Sequence, residues 1–136
     1  MPRRFYITTA IDYVNGRPHL GHAYEKVLAD TIARIHRQRG DATWFLTGTD
    51  EHGQKIAAAA EKAGLEPQAF VDLMSQTFTA AWQKLGVSYD QFIRTSDRRH
   101  ELAVQELMRR LAQALTPRTG EPAIYEGEYS GLYCEG

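Results

Sequence analysis

The chain has 136 residues, of which 43% are hydrophobic and 24% charged, and its formal net charge is −1. A chain of this size can bury roughly two thirds of its unfolded surface, so a globular domain is expected and extended disorder is excluded. The charge balance neither favours nor excludes RNA binding. A single cysteine, Cys134, excludes an internal disulfide, and no apolar run reaches the roughly 20 residues of a membrane helix. A cytoplasmic protein with no membrane partner is expected.

The first part of the chain shows the pattern of strand, turn, helix and strand. Residues 5–9 are aromatic or β-branched and predict a central strand. Apolar residues then recur at helical spacing from His22 until Gly40, which can end the helix in a left-handed cap. Residues 43–47 predict a second strand. Because strand, helix and strand connections are right-handed in nearly all known cases, we expect a parallel sheet.

Beyond residue 53 the sequence predicts three more helices and one more strand. The first helix is rich in alanine and ends near Lys62, and the second begins at Pro67 and stops before Gly86. Its apolar stripe is expected to pack in the core: Phe70, Leu73, Met74, Phe78, Trp82 and Leu85. A strand over residues 90–95 and a helix capped by Ser96 or Asp97 follow. Residues 116–120 predict a loop, and 123–134 predict short strands or a hairpin.

The start of the first helix carries two histidines, His19 and His22, separated by three positions. Unpaired backbone N–H groups and the positive end of the helix dipole gather there and favour anions. Both imidazoles lie on one side of that turn and can donate to a phosphate. Gly21 lacks a side chain, so a flat ring such as adenine could approach the backbone. The pattern predicts a site that holds ATP phosphates and stabilises charge when pyrophosphate leaves.

The second strand leads into the motif G-T-D-E-H-G at residues 48–53. Ligands of open parallel sheets sit beyond the carboxyl ends of the strands, so this motif is expected beside the histidines. Asp50 is a natural partner for a substrate cation such as an amino-acid ammonium. Tyr13 and Ile11 follow the first strand and offer an aromatic and an aliphatic wall. A small amino acid would fit between them.

The same residues allow a second interpretation, in which His19, His22, Asp50 and His52 hold a divalent metal ion. Nothing in the sequence fixes a supporting shell for such an ion, so no metal is assigned. Glu51 is expected to be solvated or to support a neighbouring residue rather than to act in catalysis.

The sequence Y-V-N-G-R-P-H-L-G-H at residues 13–22 resembles the signature of class I aminoacyl-tRNA synthetases. Together with F-L-T-G-T-D-E-H-G-Q-K-I at 45–56 it resembles the methionyl family of that class. The resemblance extends over almost the whole chain. It implies an α/β fold, with the first half of a Rossmann-like parallel sheet and its flanking helices. Residues 1–115 would form a nucleotide-binding catalytic half-domain, and residues 116–136 the truncated start of an inserted connective domain.

The resemblance also implies an activity in translation: ATP-dependent activation of L-methionine to methionyl adenylate, followed by transfer to tRNA(Met) in the full-length protein. Mg²⁺ would accompany ATP. The implied residue roles are ATP-phosphate binding and catalysis by His19 and His22, adenine contact at Gly21, ammonium binding by Asp50, and a methionine pocket lined by Ile11 and Tyr13.

The chain departs from the family pattern at Ala10 and Asp12, where relatives often have proline or a bulky residue, so the family pattern does not fix the local shape of the methionine pocket. One cysteine cannot bind structural zinc, and zinc stays unassigned. Two alternatives remain: another adenylate-forming nucleotidyltransferase with the same histidine motif, and a noncatalytic synthetase-like module that binds tRNA or protein. As a fragment, the chain is expected to be inactive alone and to leave apolar helix faces uncovered.

Overall fold

The computed structural model describes residues 2–132. Its strands are β1 (Arg4–Thr8), β2 (Asp12–Tyr13), β3 (Ala42–Asp50) and β4 (Gln91–Arg94). Its helices are α1 (Leu20–Gln38), α2 (Gln54–Lys62), α3 (Pro67–Lys84) and α4 (Arg98–Gln113). The chain divides into two compact units, one ending at His100 and one beginning at Glu101. None of the helices within residues 2–132 is long and apolar enough to cross a membrane.

The sheet is parallel throughout, as predicted, and β3 is its central strand. β1 pairs with β3 from Arg4 opposite Ala42 to Thr8 opposite Leu46. β4 pairs with the other side of β3, and β2 pairs with the last two residues of β3. The connections β1–α1–β3 and β3–α2–α3–β4 therefore make the first half of a Rossmann-like α/β fold.

β1 and β2 are two parts of one interrupted strand. On β3, Leu46 pairs with Thr8 of β1, and Thr49 pairs with Asp12 of β2. Because β4 pairs with both of these β3 residues from the opposite side, β1 and β2 lie on the same side of β3. Four steps along the chain, from Thr8 to Asp12, match only three steps on β3. One extra residue is thus inserted at residues 9–11, which we call the Ala10 bulge.

The core lies between the sheet and the helices that cover it. It is built largely from β3, α2 and α3, with Phe45, Ile56, Phe78 and Trp82 almost fully buried. The predicted stripe of α3 is confirmed in part, because Leu73 and Leu85 are about half exposed instead of buried. Val71 and Ser75 are buried in addition.

Helix α1 buries its small and polar residues rather than its large apolar ones. Ala29 and Ala33 are buried, while Leu20, Tyr24 and Leu28 are at least half exposed. Small side chains let the helix axis approach β3 closely, as is usual where a helix packs tightly on a sheet. The exposed apolar face agrees with the expectation that helix faces stay uncovered in this chain.

The second unit consists of most of α4 and the segment that follows it. No residue of α4 is buried, and Glu106 forms ion pairs with Arg109 and Arg110 on its surface. The predicted loop at 116–120 is present, closed by a bridge between Leu115 and Pro122. Residues 123–132 form no strand, so the predicted strands or hairpin are wrong for that part, and Cys134 lies outside the described residues.

Candidate active site

The first turn of α1 is capped by its own two histidines. His19 is the N-cap residue, and its Nδ1 accepts a hydrogen bond from the backbone N–H of Gly21 at 3.1 Å. His22 Nδ1 accepts in turn from the backbone N–H of His19 at 3.3 Å. The pair forms a reciprocal capping box in which imidazoles take the places of the usual hydroxyl and carboxylate groups.

This capping fixes which ring nitrogens of the histidines remain available. Because each Nδ1 acts as an acceptor, the proton of each neutral imidazole resides on Nε2. The two rings stack with centroids 3.7 Å apart and an angle of 19° between their planes. Burial lowers the pKa of His22, which keeps that ring neutral near pH 7. His19 and His22 thus offer two adjacent Nε2–H donors at a helix start, an arrangement suited to phosphate oxygens.

The structure explains why a glycine occupies position 21 in this turn. A Cβ at residue 21 would lie 3.0 Å from Cε1 of the His19 ring, tighter than ordinary contacts between carbon atoms. The glycine therefore makes room for the capping imidazole. Its predicted contact with adenine stays a prediction.

Asp50 lies at the carboxyl end of β3, in direct register with Tyr13 on β2. Its carboxylate has only long contacts within the described residues, 3.4 Å from the His52 backbone N–H and 3.5 Å from the Thr95 hydroxyl. Tyr13 and Ile11 are 54% and 40% exposed on the same edge. The register therefore places the predicted ammonium ligand beside Tyr13, and its carboxylate has capacity for a further donor.

Glu51 is buried, so the possibility that it is solvated is wrong. Its two oxygens accept from Nε and the terminal NH2 nitrogen of Arg94, both at 2.8 Å, and Oε1 also accepts from Thr49 Oγ1 at 2.6 Å. Ser96 donates to the same carboxylate. We call these residues the Glu51 network. It joins the end of β3 to β4, and the hydrogen bonds to Glu51 raise the pKa of Arg94.

Gly48 explains another position of the second motif. A Cβ at residue 48 would overlap the backbone oxygen of Ile93 on β4. The glycine therefore permits close pairing of β3 and β4 just before β3 ends at Asp50.

Sequence reasoning missed a second buried ion pair, between Lys26 and Asp12. Lys26 is fully buried, and its Nζ donates to Asp12 Oδ1 at 2.7 Å, to Glu25 Oε2 at 2.9 Å and to the backbone oxygen of Ala10 at 3.1 Å. In the sequence, Asp12 stands out only as a departure from the family pattern. A charge at a strand end, with a lysine on the buried face of the next helix, is the signal that could have revealed the pair.

The two carboxyl groups that contact Lys26 have pKa values shifted in opposite directions. Burial raises the pKa of Asp12 even though Lys26 acts in the opposite direction, and Asp12 Oδ2 has no hydrogen-bond partner among the described residues. Burial also acts to raise the pKa of Glu25, but the bonds from Ala10 and Lys26 outweigh it and lower that pKa. The two acids beside Lys26 thus differ in how readily they take up a proton.

The alternative of a metal site finds no support in residues 2–132. No three histidine, cysteine, aspartate or glutamate side chains gather there in an arrangement that could hold an ion. His52 instead places Nε2 at 3.2 Å from the backbone oxygen of Thr95.

Parallel strands joined by helices, as in β1–α1–β3 and β3–α2–α3–β4, define a Rossmann-like α/β protein. Its first helix is capped by two histidines, and an acid ends the neighbouring strand. The family model described as tRNA synthetases class I (M) matches residues 5–136. The chain belongs to this methionyl family of class I tRNA synthetases, which confirms the resemblance seen in its two motifs.

Close relatives agree with this assignment. The chain is 51% identical over 135 residues to a methionine–tRNA ligase of Deinococcus radiodurans, and 47% identical over 135 residues to one of Streptomyces coelicolor. These matches cover 98% of the chain, but 19% and 24% of the respective relatives. The chain thus spans about a fifth of their length.

A solved structure shows the same fold. Mycobacterium tuberculosis methionyl-tRNA synthetase in complex with methionyl-adenylate matches with a TM-score of 0.79 and 45% identity. The match covers 83% of this chain and 22% of that chain. At this identity the fold likeness is accompanied by close sequence similarity.

Proposed function

We propose that this chain forms the ATP- and methionine-binding part of an enzyme that activates L-methionine and transfers it to tRNA(Met). The observation that carries the proposal is the histidine-capped helix start, with two Nε2–H donors at the sheet edge where Asp50 and Tyr13 are in register. A relative of the same family is known in complex with methionyl-adenylate, the expected intermediate.

In the proposed first step, a carboxylate oxygen of methionine attacks the α-phosphorus of ATP. The bond from that phosphorus to the bridging oxygen of the β-phosphate breaks, and pyrophosphate leaves with the electron pair. His19 and His22 donate from Nε2 to phosphate oxygens and stabilise the charge that develops on them. Because the two rings are already fixed by backbone hydrogen bonds, little reorganisation is required during the reaction.

Asp50 is proposed to bind the methionine ammonium, and Ile11 and Tyr13 to contact its side chain. The weakly bonded carboxylate of Asp50 can accept a charged donor without giving up a strong internal bond. A thioether packs well against an aromatic ring, which suits Tyr13. Together these residues would orient the carboxylate of the substrate toward the phosphates.

The partners follow from the same proposal. In the second step a hydroxyl of the terminal ribose of tRNA(Met) would attack the methionyl carbonyl carbon and release AMP. Mg²⁺ would arrive bound to the ATP phosphates, since residues 2–132 hold no cluster of ligands for a resident ion. Translation in the cytoplasm is the proposed setting.

The test is amino-acid-dependent ATP–pyrophosphate exchange by the full-length chain that the gene encodes. The parent should exchange with methionine and not with isoleucine. His22→Ala should lower kcat by about 10²- to 10³-fold, the scale for one lost donor to transition-state charge. Asp50→Asn should instead raise KM for methionine, because the ammonium loses its counter-charge.

Two variants outside the site serve as controls. His100→Ala removes an imidazole elsewhere, and Asp97→Asn changes an acid while keeping a residue that can cap a helix. Both should exchange at the parental rate. Exchange supported by a different amino acid would favour another adenylate-forming enzyme, and no exchange by a folded parent would favour the noncatalytic module.

A further inference from the structure

The Ala10 bulge inserts one extra residue between the ladders of β1 and β2, and helix α1 supplies hydrogen-bond partners for the backbone of Ala10. The Ala10 N–H donates to Glu25 Oε1 at 2.8 Å, and its carbonyl oxygen accepts from Lys26 Nζ at 3.1 Å and from the hydroxyl of the adjacent Thr9 at 2.8 Å. Bulged residues lose their ladder bonds, so the side chains of Glu25 and Lys26 take the place of a neighbouring strand.

Lys26 fixes the bulge at more than one point. An ammonium has three protons to donate, and here they go to Ala10, Asp12 and Glu25. Since the Lys26 side chain is fully buried, water does not compete for these bonds. Its orientation is therefore set, and it joins the residues on either side of Ile11.

The residues that Lys26 holds alternate with the proposed pocket walls. Asp12 is buried beneath the edge, while Ile11 and Tyr13, on either side of it, are exposed above. Tyr13 is also the residue in register with Asp50. A shift of the bulge would therefore move both pocket walls relative to the ammonium ligand.

We propose that Lys26 is a positioning residue that holds the Ala10 bulge and thereby sets where Ile11 and Tyr13 meet the methionine side chain. The inference rests on the proposed function, which assigns those two residues to the pocket. Lys26 itself does not touch the substrate. The histidine cap is formed by separate backbone hydrogen bonds, so the positions of the two phosphate donors should not depend on Lys26. The charges of Asp12 and Lys26 act on the pKa of His22 in opposite directions, and a variant that removes both leaves neither.

The test compares KM for methionine and KM for ATP in pyrophosphate exchange by the full-length chain carrying Lys26→Met. Methionine KM should rise about tenfold or more, because displacement of a binding group by about an ångström can cost up to about a hundredfold. The KM for ATP should stay within about twofold of the parent, since the phosphate donors are unchanged.

A second variant guards against loss of folding. Lys26→Met leaves the Asp12 carboxylate buried without a counter-charge, so Asp12→Asn/Lys26→Met removes both charges while keeping similar volumes. It should show the same selective rise in methionine KM, because the Ala10 oxygen loses its bond to helix α1 and keeps only the hydroxyl of the adjacent Thr9, which does not tie the bulge to the helix. Lys62→Met, on the exposed end of α2, is the matched control and should change neither KM.

Hydrogen exchange gives a readout independent of activity. In the same proteins the amide of Ala10 should exchange faster in both Lys26 variants than in the parent, while amides at the start of α1 keep their protection. If the folded double variant has a methionine KM within about twofold of the parent, the positioning role of Lys26 is overturned and the proposed function is unaffected. A parent without methionine-dependent exchange would overturn the proposed function and, with it, the pocket role of Lys26.

Discussion

Two strand ends meet at the candidate site, and each is held by an ion pair whose central residue is buried, a cation at one end and an anion at the other. At the end of β1 and β2 a cation is central: Lys26 donates to Asp12, Glu25 and the backbone of Ala10. At the end of β3 an anion is central, because Glu51 accepts from Arg94 and from two hydroxyl groups.

The difference lies in how many contacts survive the loss of one partner. If Arg94 is removed, Glu51 keeps hydroxyl donors on Thr49 and Ser96. If Lys26 is removed, Asp12 loses the donor to Oδ1, and its Oδ2 already has no partner among the described residues. The first strand end thus depends on one side chain, whereas the second has several supports.

The largest effect on stability is expected from Lys26→Met. Removal of one member of a buried pair typically costs about 3–5 kcal/mol, because here the Asp12 carboxylate would stay buried without its counter-charge. Urea unfolding measures the change in the free energy of unfolding. The exposed Lys62→Met should change it by less than about 0.5 kcal/mol. A loss below about 1 kcal/mol for Lys26→Met would mean that the pair is not essential to the fold.

A smaller effect is expected from Arg94→Met. The Glu51 network keeps two donors to the carboxylate, and Arg94 is partly exposed, so we expect a loss of about 2 kcal/mol. Arg110→Met, which removes an exposed pair with Glu106, is the control and should stay within about 0.5 kcal/mol. If Arg94→Met proved as costly as Lys26→Met, the contrast between the two strand ends would be wrong.

The smallest effect concerns the pH dependence of stability. The folded chain has a His22 pKa below the value of about 6.5 found in unfolded chains. Between the two values the unfolded state binds more protons, so stability falls as pH decreases through that window. His22→Gln should therefore make the thermal midpoint less sensitive to pH from about 7 to 5. An unchanged slope in buffers of equal ionic strength would contradict the assignment.

The order of the elements could be predicted from local patterns, because each strand and helix up to β4 has its own apolar period and its own turn residues. Strand β3 was predicted to end near residue 47 but continues to Asp50. The prediction ends the strand too early because Gly48 is typical of a turn in sequence, whereas in the structure this glycine lies inside the strand and permits the close approach of β4.

Burial was harder to predict than element type. The large apolar residues of α1 are exposed, while Lys26 and Asp30 are buried. Asp30 accepts from Ser88 and Arg34, and these bonds outweigh its burial and lower its pKa. Which side of a helix faces the sheet depends on how closely the two pack, and that distance is not encoded in the helix period alone.

The sequence by itself determined the family and the parallel sheet, and it predicts His19, His22, Asp50 and Tyr13 as site residues, because these inferences depend on local motifs and on the rule that strand ends share an edge. Only the tertiary structure decided that the histidines cap their own helix and that Glu51 and Lys26 hold the two strand ends. Those contacts join residues far apart in the chain, and their partners depend on strand register, which local periodicity does not specify.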